Sequence, residues 1–531
     1  MIKNKIYHAF VSVAMLVAVG ISATSCLDKY PNDAIPADKA INTLDELDQA
    51  AIGLYASFLS GALYSGYLTL LPDLQCDLAY AVNGYTNIYG NIWRWDILAT
   101  NSEITAVYAS LYGVIANANF MLQYAPRVEK TLITDDEFDH FNQICGEAYF
   151  ARALAYSELI KLYCKDYDKD TASTNPGVVI VTKYNTNEPM VRASLEESYE
   201  RVIKDLDMAA ELMDLDENSF AGALYSSSYF NEYTAYALRA RVSLYMKDYD
   251  AAIEYASKVI DSGYYLLSSA NVEYTSGMSY FTYMWQYDEA TEIIWKVGYT
   301  INSYGGALGQ PFFNYDYRSM KPDYVPAEWV LALYDQSDLR YGNYFYTYPT
   351  GYDHGLQWPL LVKYFGNQSF YGSNILHVTM PKPFRLAEQY LIRAEAYAMN
   401  KEYALAGNDI ATLRAARYES YGSSVAMTKD TAMEIIEEER VKELYMEGFR
   451  LMDLKRWGKG FERKPQEQSL DNGSSLKIEA DNSLFVWPIP KHELEAQDSM
   501  ITPNDSNKLK YIGYELKAYS NNLSRTRSFG L

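Results

Sequence analysis

The densest run of charge in the chain, Glu439 to Trp457, carries Glu443 and Glu447 four residues apart, on one face of a helix. Two carboxylates so placed could act as the acid and base of glycoside hydrolysis. That chemistry needs one carboxyl with a raised pKa, and here each has an arginine three residues away: Arg440 before Glu443 and Arg450 after Glu447. Arg450/Asp453 and Asp453/Arg456 continue the series. Neighbouring guanidinium groups hold carboxylates ionised, so an ion-paired helix, Glu439 to Trp457, packed against its neighbours is the stronger reading. Asp166, Asp168 and Asp170 alternate as in a calcium loop, but Thr171 stands where the loop needs Gly and Gly177 where it needs Glu. The five histidines are scattered, and neither HExxH, GxSxG nor a phosphate-binding loop occurs. No catalytic residue, metal or cofactor is expected, and the chain reads as a binding protein.

The residues that remain are aromatic. Tyrosine outnumbers phenylalanine 52 to 19, although a buried ring is simpler as Phe because a tyrosine hydroxyl must find a partner. Many of these rings are therefore expected to face water, where a flat ring beside hydrogen-bonding groups suits the C–H face of a sugar or an extended peptide. The candidates are Tyr85, Tyr89, Trp93 and Trp95, interleaved with Gly84, Asn87, Gly90 and Asn91, and then Trp285, Tyr287, Tyr299, Tyr304 and Tyr315. Core packing is the competing role for each, most directly for Trp93, Trp95 and Trp285. Trp457 is assigned to packing.

Helices must position these rings. The pattern Tyr-x-x-Arg-Ala occurs at Tyr149/Arg152/Ala153, Tyr236/Arg239/Ala240 and Tyr390/Arg393/Ala394, and residues 240–249 align without gaps to 394–403. Each of these two copies reads as helix, short turn and helix, which is tetratricopeptide-like pairing. The first copy carries an insertion before the amphipathic stretch Leu195 to Met213. Helices are also expected over Thr43 to Phe58, with Thr43 and Glu46 as a capping box, and over Ser102 to Tyr124. Between 265 and 380 the helical period disappears into short strand-like or irregular segments. The expected fold is mainly α: about four helix pairs (about 43–60, 101–125, 145–260 and 384–457) packed against a loop-rich lobe with few short strands (about 61–100 and 265–380). Cys145 and Cys164 fall in one apparent helix, too far apart to bridge.

Lys3 and Lys5 precede an apolar stretch, Ala9 to Ile21, too short to span a bilayer but right for a signal peptide over residues 1–25. Ala23, Thr24 and Ser25 lead to Cys26, which resembles the lipobox cysteine that is acylated as the first mature residue. Residues 26–531 then form one domain, held to a membrane by the lipid anchor alone. The net charge of −22 excludes nucleic acid as a partner, since phosphate binding needs a basic face.

Six segments resemble the SusD/RagB family of outer-membrane nutrient-binding lipoproteins: Leu47–Tyr55, Ile115–Leu122, Gly146–Tyr163, Leu386–Ala396, Glu439–Trp457 and Pro488–Glu493. The resemblance runs over essentially the whole mature chain. It implies four tetratricopeptide-like units against a loop-rich half that carries the ligand, and a lid-like seat over a TonB-dependent outer-membrane transporter at the cell exterior. Family ligands are usually glycans, and some members take peptides. It also implies that the two aromatic regions named above contribute to the site, without fixing which rings do so.

Overall fold

The computed structural model describes residues 39–507 apart from 186–187, 214–226, 316–318, 423 and 498; the leader and Cys26 lie outside them. Helix starts follow the caps in the sequence. Thr43, Thr134 and Ser194 each accept the N–H of a glutamate three residues on, and Glu46, Glu137 and Glu197 return the bond to the cap backbone.

Numbering the described helices of eight residues or more, the chain runs α1 (Leu44–Ser57), α2 (Tyr67–Leu74), α3 (Ser102–Glu129), α4 (Asp135–Tyr163), α5 (Leu195–Leu212), α6 (Glu232–Tyr245), α7 (Tyr249–Ile260), α8 (Tyr280–Tyr287), α9 (Leu386–Met399), α10 (Tyr403–Ala415), α11 (Ala432–Glu443) and α12 (Arg450–Trp457). Four pairs, α1/α3, α4/α5, α6/α7 and α9/α10, stack in series through contacts of α3 with α4, α5 with α6 and α7 with α9. The motif arginine explains part of the pairing. Arg152 on α4 forks onto Asp205 of α5 at 2.8 and 2.7 Å, and Arg393 on α9 forks onto Asp409 of α10 at 2.9 and 2.8 Å. In the middle copy Arg239 lies over the Tyr255 ring of α7 instead. Helix α4 is the axis of the stack, buried on every face from Phe150 to Tyr156. A Cβ on Gly146 would stand 2.5 Å from Met213, so glycine is what lets α4 and the end of α5 approach.

The loop-rich lobe has a core of its own, built from Trp93, Phe281, Trp285, Phe312, Tyr324, Tyr344 and their neighbours. Its described strands form two-stranded antiparallel pieces. One of these, Ile293–Trp295 against Phe384–Arg385, leads directly into α9 and fastens the lobe to the helical stack.

Two expectations need correction. Residues 439–457 are not one helix: Met446 (φ 59°) and Gly448 (φ 87°) adopt left-handed backbone and separate α11 from α12. The Asp453–Arg456 pair forms at 2.9 Å, but Arg440 turns to Asp453, Arg450 to Asp77, and Glu447 to Arg385 and Lys363. Residues 280–287, within a stretch read as strand-like or irregular, are the helix α8.

Beneath the lobe lies a buried web of charge. The Glu443 carboxylate accepts from Arg340 at 3.1 Å, Arg385 at 2.8 Å and Arg417 at 3.0 and 2.9 Å. Glu292 takes the same Arg385 and Arg417, and Glu439 takes Arg340 and Arg414. Every charge in this web is met by an opposite one, the condition under which buried ions are tolerated.

Candidate functional site

Helix α8 has aromatic side chains on both faces. Ser279 caps it by accepting the Thr282 N–H at 3.1 Å, and Asp288, in left-handed backbone, ends it. Phe281, Met284 and Trp285, at helical spacing, point into the lobe core. Tyr280, Tyr283 and Tyr287, spaced three and four apart, occupy the opposite face. The hairpin formed by Glu273–Thr275 and Met278–Ser279 adds Tyr274.

These four rings form one column. Tyr274 lies 4.2 Å from Tyr283 with 31° between planes, Tyr283 lies 4.9 Å from Tyr287 at 24°, and Tyr280 meets Tyr274 edge-on at 5.5 Å. Tyr274 is 49% exposed and Tyr280 45%. Water therefore meets ring surface that the core does not need. At the Tyr287 end the hydroxyl donates to Gln368 Oε1 at 3.3 Å, and Gln368 Nε2 donates to Gln286 Oε1 at 2.7 Å. Partial burial and the adjacent Tyr274 hydroxyl raise the Tyr283 pKa, so the phenol stays protonated and can donate.

The short helix Gln368–Tyr371 links this column to further rings. Tyr371 packs 5.9 Å from Phe365, Phe365 6.2 Å from Tyr348, and Tyr348 4.6 Å from Tyr346, which is 58% exposed. Tyr315 meets His377 edge-on beside Phe365. Burial lowers the His377 pKa, leaving a neutral imidazole whose Nδ1 is 3.1 Å from the Phe365 carbonyl. A separate patch holds Tyr85, whose hydroxyl donates to Asn87 at 2.9 Å and accepts from Arg94, near the parallel stack of Tyr352 and His354.

The sequence candidates divide on burial. Trp93 (0% exposed), Trp95, Trp285 and Tyr299 are core residues and present no ring face to a ligand, which corrects their assignment. Arg463 covers Trp93 at 4.3 Å, and Trp95 packs between Phe461 and Phe485. Trp285 lies beneath Lys363, Lys382 and Arg385, and the Tyr299 hydroxyl donates to Ser65 at 2.5 Å. Tyr89 is half-buried against Tyr67. Tyr85, Tyr287, Tyr304 and Tyr315 retain access to solvent, and Tyr287 alone of these belongs to the column. Tyr274, Tyr280, Tyr283 and Gln368 were not among the candidates. For Tyr280 and Tyr283 the signal is a tyrosine spacing complementary to that of Phe281 and Trp285, whereas Tyr274 and Gln368 lie outside α8 and carry no such signal.

Glu443 and Glu447 lie inside the charge web. Although burial opposes ionisation, Arg417, Arg385 and Arg340 together hold the Glu443 carboxyl well below the usual carboxylate range. Asp166 is paired with Lys247 at 2.8 Å. The arrangement at the surface can therefore stack and hydrogen-bond a ligand, and these carboxylates supply no acid or base to it. Two clefts, of about 360 and 410 Å³, lie instead on the helical half, one between α3 and residues 179–185 with Met190 and one between the α6/α7 turn and α12.

Comparison with known proteins agrees with this architecture. Residues 26–244 match a family profile described as starch-binding associating with outer membrane, and residues 278–527 match the SusD family profile. SusD-like protein P2 of Formosa agariphila is 29% identical over 263 residues, covering 49% of this chain and 46% of that protein, so the match spans about half of the relative's own length. A SusD superfamily protein of Bacteroides thetaiotaomicron superposes with a TM-score of 0.72 at 24% identity, over 87% of this chain and 99% of that one. Surface glycan-binding protein A of Bacteroides fluxus superposes with a TM-score of 0.64 at 19% identity, over 88% and 100%. With matching profiles on both halves and helix pairs against a loop-rich lobe, the chain belongs to the SusD/RagB family.

Proposed function

We propose that this protein is a cell-surface lipoprotein, anchored through Cys26 to the outer membrane, that captures an oligosaccharide on its loop-rich lobe and delivers it to a TonB-dependent transporter. The observation that carries the reading is the solvent-facing column Tyr274/Tyr283/Tyr287 with its glutamine pair Gln286 and Gln368. A pyranose offers an apolar C–H face framed by hydroxyls. Phenol rings with adjacent amides meet both features without a deep pocket. The anchor and the transporter rest on the leader sequence and on the family, whose matching profile is described as associating with the outer membrane.

The test is a glycan and peptide array on soluble protein beginning after Cys26, each hit followed by calorimetry and by product analysis. The reading predicts retention of one glycan class without cleavage, weakened about tenfold or more, ~1.4 kcal/mol, by Tyr283→Ala. Retention of peptides alone would move the protein to the peptide-binding members of the family, and cleavage would make it an enzyme. Unchanged affinity in Tyr283→Ala would remove the column from the site.

A further inference from the structure

The charge distribution of the loop-rich lobe constrains what the tyrosine column can hold. The described Lys and Arg side chains of residues 61–100 and 265–380 are Arg94, Lys296, Lys321, Arg340 and Lys363. Three are buried and committed: Lys296 to Glu289 at 2.7 Å, Arg340 to Asp338, Glu439 and Glu443, and Lys363 to Glu447 at 2.6 Å. Arg94 is half-buried and spends its guanidinium on Tyr85, Asn87 and Asn91. Lys321 alone among them is exposed, and it lies beside Gly351.

The lobe buries Asp73, Asp77, Asp288, Glu292, Asp323 and Asp338 with their partners, but other acidic groups are exposed. Glu273 is exposed immediately before Tyr274, and Glu289, its side chain 48% exposed, lies just past Tyr287 and acts electrostatically on Tyr283. Glu328, Asp335 and Asp353 are exposed elsewhere on the lobe. The interior of the lobe has thus consumed its cations; the exposed Glu273 carboxylate stands at one end of the column and the Lys296–Glu289 ion pair at the other.

A uronate or sulfate group brought to such a surface would lose hydration, meet like charge and find no guanidinium or ammonium to pair with. Neutral hydroxyls and N-acetyl groups pay no such penalty and match the phenols, Gln286 and Gln368. Resting on the glycan reading above, we infer that the captured glycan is electroneutral, a polymer of neutral or N-acetylated hexoses, and that polyuronates and sulfated polysaccharides are rejected.

The experiment compares retention of a neutral hexose polymer series, an N-acetylated polymer, a polyuronate, a sulfated galactan and a cationic deacetylated amino polymer. It uses soluble wild-type protein, Tyr283→Ala, and Arg318→Gln, because Arg318 lies outside the described residues. The expected result is retention of a neutral or N-acetylated polymer, sensitive to Tyr283→Ala, insensitive to Arg318→Gln, and changed less than about twofold when salt rises from about 50 to about 500 mM. Salt-sensitive retention of the polyuronate, the sulfated galactan or the cationic polymer that Tyr283→Ala abolishes would overturn electroneutrality and leave glycan capture standing. Retention of none of the five polymers, with peptides bound instead, would overturn both.

Discussion

The web around Glu443 and the column around Tyr283 exchange the usual places of charge and ring. The lobe buries Arg340, Arg385, Arg417, Glu292 and Glu443 and leaves Tyr274 and Tyr280 about half in water. Helix α8 stands at the boundary, with Trp285 facing Lys363 and Arg385 on one side and Tyr283 facing solvent on the other. The difference separates two tasks. The web holds the lobe to α9 and α11 with bonds that only a folded protein supplies, while the column lies outside it and keeps access to solvent.

Breaking the web is expected to have the largest effect. Glu443→Ala leaves three buried guanidinium groups short of a carboxylate, at a cost of about 3–5 kcal/mol in a denaturant titration. Any loss of ligand binding in this variant should vanish under conditions that keep it folded. Acid probes the same web without mutation. Burial opposes ionisation of Glu439, but Arg340, Lys442 and Arg414 outweigh it and bring its pKa down to about 2; Glu443 is shifted the same way. A depressed folded pKa contributes stability that is complete above the unfolded value of about 4.3 and is lost as pH falls toward 2. Melting temperature should therefore drop through that window, with a shallower slope in Glu443→Gln than in wild type.

Smaller effects sharpen the contrast. Ser279→Ala removes the cap of α8 and should cost about 1 kcal/mol, with ligand affinity falling because the helix that aligns Tyr280, Tyr283 and Tyr287 frays. Tyr283→Ala should change stability by no more than about 0.5 kcal/mol while producing the larger loss of affinity. If Tyr283→Ala instead destabilises the protein by several kcal/mol, the column is part of the core and the division between the two regions fails.

Features that depend on neighbours in sequence were legible before the structure. The capping box at Thr43, the Arg-Ala repeat and the helix pairing marked by the match of residues 240–249 to 394–403 all follow from spacing, and the boxes at Thr134 and Ser194 have the same spacing though they were not read from it. Helix α8 was not legible, because Phe281 and Trp285 inward and Tyr280, Tyr283 and Tyr287 outward give no polar contrast between its faces. The break at Met446 and Gly448 was hidden by charged residues whose three-residue spacing continues across it. Burial of Trp93 depends on Arg463, 370 positions away, whose guanidinium donates to the Trp93 carbonyl. A local reading cannot distinguish such a ring from one that faces a ligand.

The turn at 446–448 also bears on the order of folding. The N–H groups of Gly448 and Arg450 donate to the buried Asp73 carboxylate across separations of 375 and 377 residues, and Trp487 Nε1 donates to Gln75 across 412. Contacts of such range close loops of several hundred residues, at an entropic cost that contacts between sequence neighbours do not carry. Helix α2 therefore lacks these partners until the last hundred residues are present, and a chain made from its N-terminus cannot complete the loop-rich lobe until nearly all of it is available. Completion of the lobe is thus coupled to completion of the chain, and a fragment ending before Gly448 is expected to display helix pairs without a finished lobe.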